Sequence, residues 1–221
     1  ALNPKSNWDF YTAIRAVNYF LKEAEGLDFS DLRYTEDYEA QMNRFNRYQY
    51  EVRLLRAYFY FNLVRAYGDV PFTTEVLTEE QANTISRTPY TDVFDFILSE
   101  CDAVAPELPV SYTKLENDAA NGSNPETGRV TRGTALALKA RAALYRASKL
   151  FNETGSKELW KAAAEANQAV IVYCKDNGIQ LGKYTDLWGT NNYRAKEVIF
   201  ARRVGDTNSP EVQNFPIGME N

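Results

Sequence analysis

Carboxylates are the main residues that could perform chemistry in this 221-residue chain, because the sequence contains no histidine. That absence removes the commonest general base, the Ser-His and Cys-His nucleophile pairs and most zinc sites. Thirty Asp and Glu residues remain, and a carboxylate-based glycosidase would need two of them facing each other across a cleft, about 5 to 9.5 Å apart. No motif selects such a pair. We therefore expect no enzyme, no catalytic residue, no metal and no other cofactor, and a carboxylate-based glycosidase stays open as an alternative.

Acidic and amide side chains are concentrated between Glu116 and Gly128, in the stretch ENDAANGSNPETG. Their oxygens are of the kind that bind calcium, but the spacing of an EF-hand is not met. The same residues are turn formers without periodicity, a pattern typical of exposed loops. We therefore favour a solvated loop over a calcium site.

The two cysteines, Cys101 and Cys174, lie on the apolar stripes of two different predicted helices. Buried cysteine commonly serves as a small apolar residue, so free buried thiols are favoured. A disulfide between them stays open, because sequence spacing alone does not decide it.

Two arginines, Arg53 and Arg56, interrupt the apolar pattern of the stretch Tyr50 to Phe72. On a helical wheel, one apolar stripe contains Val52, Leu55, Phe59, Leu63 and Ala66, and a second contains Tyr50, Leu54, Tyr58 and Phe61. The remaining polar strip contains Gln49, Arg53, Arg56 and Tyr60. Two stripes need two neighbours, so this helix is expected to lie between layers. Both arginines are then expected to have carboxylate or carbonyl partners, since a half-buried guanidinium without one is costly.

This central helix has clear predicted ends. Thr35 followed by two acidic residues favours a start, and the helix is expected to run for about 30 residues to Tyr67, longer than most. Gly68 can adopt the left-handed C-terminal conformation, and Pro71 cannot continue the hydrogen-bond ladder.

Four further helices are predicted. The first is capped by Ser6 and ends near Gly26, and the next begins at Thr88-Pro89, with proline at its first position, and ends at Pro106. The last two are Val130 to Phe151, capped by Thr131, and a helix from Ser156 to Asn177-Gly178. Only Asn152 to Gly155 joins these two, so they are expected to form an antiparallel helical hairpin. Phe72 to Arg87 is expected to be irregular or extended, and Glu197 to Val204 a short strand.

About five helices and almost no sheet predict an all-α, tetratricopeptide-like superhelix of helical hairpins that forms one domain over residues 1–221. The net charge of −5 and a pI near 5.0 argue against sequence-independent nucleic-acid binding. No apolar run is long enough to span a bilayer.

The segment Leu54 to Phe72, LLRAYFYFNLVRAYGDVPF, resembles the signature of the SusD/RagB family. Other segments resemble the family in the same order along the chain: Trp8 to Ala24, Arg87-Thr-Pro with Val93-Phe-Asp-Phe-Ile, Gly128 to Tyr145, and Glu197 to Phe200 as a short strand. Relative to that family, the lipid-bearing cysteine and first segment and the long C-terminal part are expected to be missing from this chain.

This resemblance implies a surface-exposed lipoprotein of the outer membrane. Such a protein binds oligosaccharides without cleaving them and delivers them to a SusC-like TonB-dependent transporter. Membrane attachment would be through a lipidated N-terminus outside this chain, and no nucleic acid is involved. The helix-pair architecture fits equally well a scaffold that binds a protein or peptide, and this alternative stays open.

Sugar binding requires solvent-facing aromatic rings beside hydrogen-bonding side chains, because sugars present both C–H faces and hydroxyls. Most aromatics here have core spacing, including Tyr58, Phe59, Phe61 and Phe94. Trp8 at a helix start and Trp188 in a loop meet the requirement better, although packing on the core is the commoner role of such a tryptophan. The candidate ligand-binding residues are Trp8, Asn7, Trp188, Asn191, Asn192 and Tyr193.

Overall fold

The computed structural model describes residues 9–112, 128–187 and 195–201, which form six α-helices and two very short strands. The helices are α1 (Phe10–Ala24), α2 (Tyr38–Tyr67), α3 (Glu79–Thr84), α4 (Tyr90–Val104), α5 (Arg132–Ala147) and α6 (Lys157–Asp176). Strands β1 (Val70–Pro71) and β2 (Arg87–Thr88) pair antiparallel, with Val70 opposite Thr88. The predicted all-α class is confirmed.

Helix α2 lies between other helices, as its two apolar stripes predict. On one side Phe10 of α1 stacks on Phe59, with ring centroids 5.4 Å apart. On the other side Phe96 of α4 meets the ring of Tyr60 edge-on at 5.9 Å. Tyr145 of α5 meets Phe61 edge-on at 5.3 Å. The core of the molecule therefore forms around α2.

Three residues of α2 were wrongly placed by the helical wheel. Tyr60, predicted on the polar strip, is fully buried, while Ala66 and Tyr58, predicted on apolar stripes, are exposed. Tyr60 is buried because its hydroxyl donates to the carbonyl of Thr73 at 2.7 Å and accepts from the amide of Thr73 at 2.9 Å. A helical wheel contains only the residues of one helix, so it does not predict a segment that folds back over that helix after the Gly68–Pro71 turn.

The predicted hairpin of α5 and α6 is confirmed, but α5 ends at Ala147 and not at Phe151, so the connection spans residues 148–156 and is longer than the predicted link. Thr131 caps α5 through a reciprocal pair of hydrogen bonds with Thr134, and Ser156 caps α6. Within the connection, the Asn152 carboxamide oxygen accepts from the amide of Ser156 at 2.8 Å. The two helices approach closely at Gly133, where an added Cβ would lie 2.7 Å from a ring carbon of Tyr173.

Helix α3 was not predicted, because its short sequence carries no apolar periodicity. It begins with a capping box. The Gln81 backbone amide donates to the Thr78 hydroxyl, and the Gln81 side-chain oxygen accepts from the Thr78 backbone amide at 2.9 Å. Such a threonine followed by glutamine three residues later is a recognisable start signal. The segment 72–87, expected to be irregular, is thus partly helical.

Three other expectations about element boundaries differ from the structure. Helix α1 begins at Phe10 with Asp9 at the N-cap, so its start is not set by Ser6, which lies outside the described residues. Pro89 is the N-cap of α4 and not its first helical residue. The expected strand from Glu197 is absent from residues 195–201, which form turns and irregular chain.

The remaining expectations concern the loop and the cysteines. Residues 113–127, which carry most of the weak calcium motif, lie outside the described part of the chain. Cys101 and Cys174 are both free thiols, as favoured; Cys101 is buried and Cys174 is half-buried. Burial raises the pKa of Cys101 to about 12, so this thiol is protonated and unreactive at neutral pH. No helix among the described residues has the length and apolar character needed to cross a bilayer.

Gly68 ends α2 as predicted, and replacing it with alanine is expected to lower the free energy of unfolding by about 1–3 kcal/mol. Its φ of 70° and ψ of −121° are unfavourable for any residue with a Cβ. Because an added Cβ would meet no atom within 4 Å, the whole penalty arises from the backbone. Urea unfolding followed by circular dichroism measures it. Gly182→Ala, at a glycine without positive φ, is the control, and equal stabilities of the two variants would contradict the prediction.

Candidate functional site

Arg53 and Arg56 share one partner, the carboxylate of Glu100 on α4. Arg53 holds it with two hydrogen bonds, Nε to Oε2 at 3.0 Å and Nη2 to Oε1 at 2.6 Å. Arg56 Nη2 approaches Oε2 at 3.4 Å. Glu100 and Arg56 are buried and Arg53 is half-buried. Both arginines therefore have a carboxylate partner, as the sequence predicts.

A second part of this network holds the segment that follows β1 against α1 and α2. Arg56 Nη1 donates to the carboxamide oxygen of Asn18 on α1 at 2.8 Å. The Asn18 amide nitrogen in turn donates to the carbonyl of Glu75 at 2.9 Å. From α1, the Tyr11 hydroxyl also donates to the Pro71 carbonyl at 3.0 Å. Pro71, predicted to stop the helix, therefore also receives a hydrogen bond that holds the turn in place.

The second buried carboxylate, Glu51, lies on α2 and forms another network there. It accepts hydrogen bonds from the Tyr112 hydroxyl at 2.8 Å and from Arg129 Nε and Nη2, both at 2.9 Å. The Arg129 guanidinium also lies over the ring of Tyr48, 4.7 Å from its centroid. This network joins α2 to the chain on both sides of residues 113–127.

The electrostatics of these groups indicate a structural role. The hydrogen bond to Glu100 raises the pKa of Arg53, whereas burial lowers the pKa of Arg56. Burial raises the pKa of Tyr60 to about 12, and burial together with the charge of Glu51 raises the pKa of Tyr112. Both buried carboxylates of the described residues accept from arginine, and the tyrosines stay protonated at neutral pH. The networks therefore hold the helices together and offer no group for proton transfer.

Asp69 has a role that sequence reasoning missed, since its carboxylate caps a helix 21 residues away. Its Oδ1 accepts from the backbone amide of Tyr90, the first residue of α4, at 2.8 Å. Because Pro89 occupies the N-cap position and has no side-chain acceptor, the cap is supplied from the Gly68–Pro71 turn. No local signal identifies this role, because the capped amide lies 21 residues further along the chain.

Replacing Asp69 with alanine is expected to lower the free energy of unfolding by about 0.5–2 kcal/mol, the usual cost of a lost cap. Asp69→Asn keeps an acceptor oxygen and is expected to retain most of that stability. Chemical unfolding of the two variants measures the difference. A loss of stability in Asp69→Asn as large as in Asp69→Ala would contradict the capping role.

The sequence-predicted ligand-binding residues all lie outside the described part of the chain. This applies to Asn7 and Trp8 at the start and to Trp188, Asn191, Asn192 and Tyr193 near the end. The third tryptophan, Trp160, is 49% exposed on the first turn of α6. It was not nominated, although it lies off the buried face formed by Leu159 and Ala163.

A shallow open groove of about 250 Å³ lies between α4, α5 and α6. Half of its lining residues are alanines, and the others are the apolar Leu98 and Leu136 and the charged Lys139 and Glu165. Lys139 is already paired with Asp102 at 2.6 Å. The groove is smaller than the 300 Å³ or so at which small-molecule sites usually begin, so it suits a side chain better than a whole ligand.

Comparison with known proteins gives consistent matches. The SusD-like family described as "Starch-binding associating with outer membrane" matches residues 3–144. A SusD-like protein of Formosa agariphila is 23% identical over 193 residues, covering 87% of this chain and 30% of that protein.

Solved structures agree with this assignment. A SusD-like carbohydrate-binding protein from Bacteroides fragilis is 26% identical with a TM-score of 0.65, covering 89% of this chain and 32% of that one. A laminarin-binding SusD-like protein is 25% identical with a TM-score of 0.61, covering 90% of this chain and 38% of that one. The chain thus spans about a third of the length of these relatives. With the family matched over more than half of its residues, this chain belongs to the SusD-like family.

Proposed function

We propose that this chain is part of a bacterial surface protein that binds oligosaccharides without cleaving them. The observation that carries the proposal is its membership of a family whose description names starch binding. Two related structures are named for carbohydrate and laminarin binding, which supports a glycan as the ligand class. Among the described residues, both buried carboxylates are held in ion pairs with arginine, which supports a binding role for this part of the protein.

In this proposal the described helices are the scaffold on which the ligand-binding residues are mounted. The Glu100 and Glu51 networks fix α2 against α1, α4 and the chain near Arg129. Fixed elements hold binding side chains at a constant separation, which reduces the entropy lost when a ligand binds.

The proposed partner is a SusC-like TonB-dependent transporter in the outer membrane, to which the protein delivers its ligand. We propose attachment at the cell surface through a lipidated N-terminus, and the family description, which places its members in association with the outer membrane, supports this location. Purification of the full-length protein from membranes that contain both proteins tests the partnership. We expect the two to elute as one complex, and elution in separate fractions would contradict the delivery role.

The aromatic ligand site is tested by two substitutions in the full-length protein. Trp8→Ala and Trp188→Ala are each expected to weaken glycan binding about tenfold, the size of a lost stacking contact. Affinity electrophoresis in gels that contain the glycan measures the change. Trp160→Ala, which removes an exposed tryptophan from α6, is the matched control and is expected to bind normally. Unchanged affinity in the first two variants would mean that Trp8 and Trp188 do not belong to the ligand site.

The alternative is a tetratricopeptide-like scaffold that binds a protein or peptide. The groove between α4, α5 and α6 favours it, because small alanine side chains between paired helices let a partner chain approach closely. A full-length protein that binds a peptide through this groove and no glycan would support this alternative. Ala166→Leu, which fills the groove, would then abolish binding.

A further inference from the structure

The connection between α1 and α2 exposes three large apolar side chains within eight residues. Leu27 is 52% exposed, Leu32 is 53% exposed and Tyr34 is 85% exposed. Single exposed apolar residues are normal, but three of them within one ordered connection make it a candidate for contact with another molecule. We refer to residues 22–39, which contain this group, as the acidic apolar surface.

The exposure of these side chains is not a sign that the connection fails to pack. Phe29, in its centre, meets Phe45 of α2 edge-on with ring centroids 4.9 Å apart. The Asp28 carboxylate accepts from the amide and the hydroxyl of Ser30, at 2.8 and 2.9 Å. The connection thus packs one aromatic ring against α2 and displays its apolar neighbours. A surface ordered in this way loses little entropy when a partner binds.

The charge of the whole chain is concentrated on this surface. Residues 22–39 carry seven carboxylates against Lys22 and Arg33, a net charge of −5, and all nine charged side chains are exposed. The whole protein also has a net charge of −5, so the other residues are neutral in sum. This surface is therefore strongly negative, and it would attract a cationic partner and repel phosphate groups.

We infer that the acidic apolar surface docks a protein partner that presents lysine or arginine side chains around an apolar centre. Buried apolar side chains supply most of the affinity of such interfaces, while surrounding charges set orientation and association rate. The Arg33 guanidinium lies over the Tyr34 ring, 4.8 Å from its centroid. At 85% exposure the ring still offers area to a cation of the partner. This inference rests on the proposed function, in which the partner is the outer-membrane transporter.

Two other exposed apolar side chains do not mark a docking surface in the same way. Ile171 is exposed on α6, and Leu150 is exposed beyond the end of α5. They lie toward opposite ends of the helical hairpin, because Tyr173 of α6 meets Gly133 at the start of α5, whereas Leu150 follows the end of α5. These residues therefore serve as controls.

The test measures binding of full-length variants to the purified transporter in detergent, by surface plasmon resonance at low and high salt. The triple variant Glu25→Gln, Asp31→Asn, Glu36→Gln is expected to associate about tenfold more slowly at low salt, and the difference should shrink as salt screens the charges. The double variant Leu32→Ser, Tyr34→Ser is expected to dissociate at least about tenfold faster. These residues are exposed, and circular dichroism verifies that each variant is folded.

Two matched controls accompany these variants. The triple variant Glu107→Gln, Glu153→Gln, Asp176→Asn changes the net charge equally at exposed positions elsewhere, and Leu150→Ser, Ile171→Ser removes the other apolar pair. Both are expected to bind the transporter like the unaltered protein. Normal binding by the two test variants would overturn the inference and leave the proposed function intact. An unaltered protein that does not bind the transporter would instead refute the delivery role and, with it, the inference.

A second experiment distinguishes a surface that binds the transporter from one that another part of the same protein covers. Hydroxyl-radical footprinting of the full-length protein alone is expected to label Tyr34 strongly, and addition of the transporter is expected to protect it. Protection of Tyr34 in the uncomplexed protein would show that another part of the same protein covers the surface. That result would overturn the assignment to a partner.

Discussion

Replacing Glu100 with alanine is expected to lower the free energy of unfolding by about 3–5 kcal/mol, the cost of breaking a buried ion pair by removing one partner. Glu100 is the shared acceptor of Arg53 and Arg56, and the Arg56 side chain is only 7% exposed. Without the carboxylate, Arg56 keeps its bond to Asn18 but remains a buried cation with no counter-charge. Urea unfolding followed at 222 nm measures the loss.

An exposed ion pair of the same fold provides the control for Glu100. Glu165→Ala removes the partner of Lys161 on the surface of α6, where both side chains are mostly exposed. Such pairs contribute about 0.3–0.5 kcal/mol. Similar losses in Glu100→Ala and Glu165→Ala would mean that the Arg53–Glu100–Arg56 network does not hold α2 against α4.

Replacing Phe61 with alanine is also expected to destabilise the protein by about 3–5 kcal/mol, as large-to-small changes of buried aromatics do. Phe61 is 2% exposed and packs edge-on against Tyr145 of α5. The cavity left by the ring would remove the contact of α2 with Tyr145 of α5. The midpoint and slope of a urea unfolding curve measure the effect.

Tyr58 is the matched control for Phe61, because the helical wheel places both on the same stripe of α2. In the structure Tyr58 is 39% exposed and contacts the ring of Phe59 at its edge. Tyr58→Ala is expected to cost no more than about 1 kcal/mol, the range of a partly exposed aromatic contact. Equal losses of unfolding free energy in the two variants would mean that both side chains pack equally, as the helical wheel predicts. That result would contradict the observed packing.

The predictable part of the fold consists of features whose cause is local. Gly68 and Pro71 set the end of α2, and Thr131 and Ser156 set the starts of α5 and α6, because turn and cap chemistry involves neighbouring residues. The short link predicted before Ser156 likewise indicated an antiparallel hairpin, and the hairpin forms although its connection spans residues 148–156.

Features that depend on distant residues could not be predicted in the same way. The pattern around Arg53 and Arg56 indicates that a partner exists, but nothing in it selects Glu100 among 30 acidic residues. The burial of Tyr60 depends on Thr73, which folds back over α2. The role of Asp69 depends on the position of Tyr90. Each of these contacts is created by the tertiary fold, which periodicity along one helix does not contain.

The ligand site is still a prediction from sequence and family. Trp8 and Trp188 were nominated by their positions near a helix start and in a loop, and the structure describes neither. The acidic apolar surface, by contrast, required the structure, because exposure of Leu27, Leu32 and Tyr34 distinguishes a displayed surface from an ordinary helix connection.

The central claim is that the full-length protein binds a glycan and does not cleave it. Incubation of that protein with an array of immobilised oligosaccharides, followed by analysis of the released products, tests both halves together. We expect retention on at least one glycan with no shorter product after prolonged incubation. Retention with product release would make the protein an enzyme. No retention on any glycan, together with binding of a peptide in the groove between α4, α5 and α6, would contradict glycan binding and support the protein-binding scaffold.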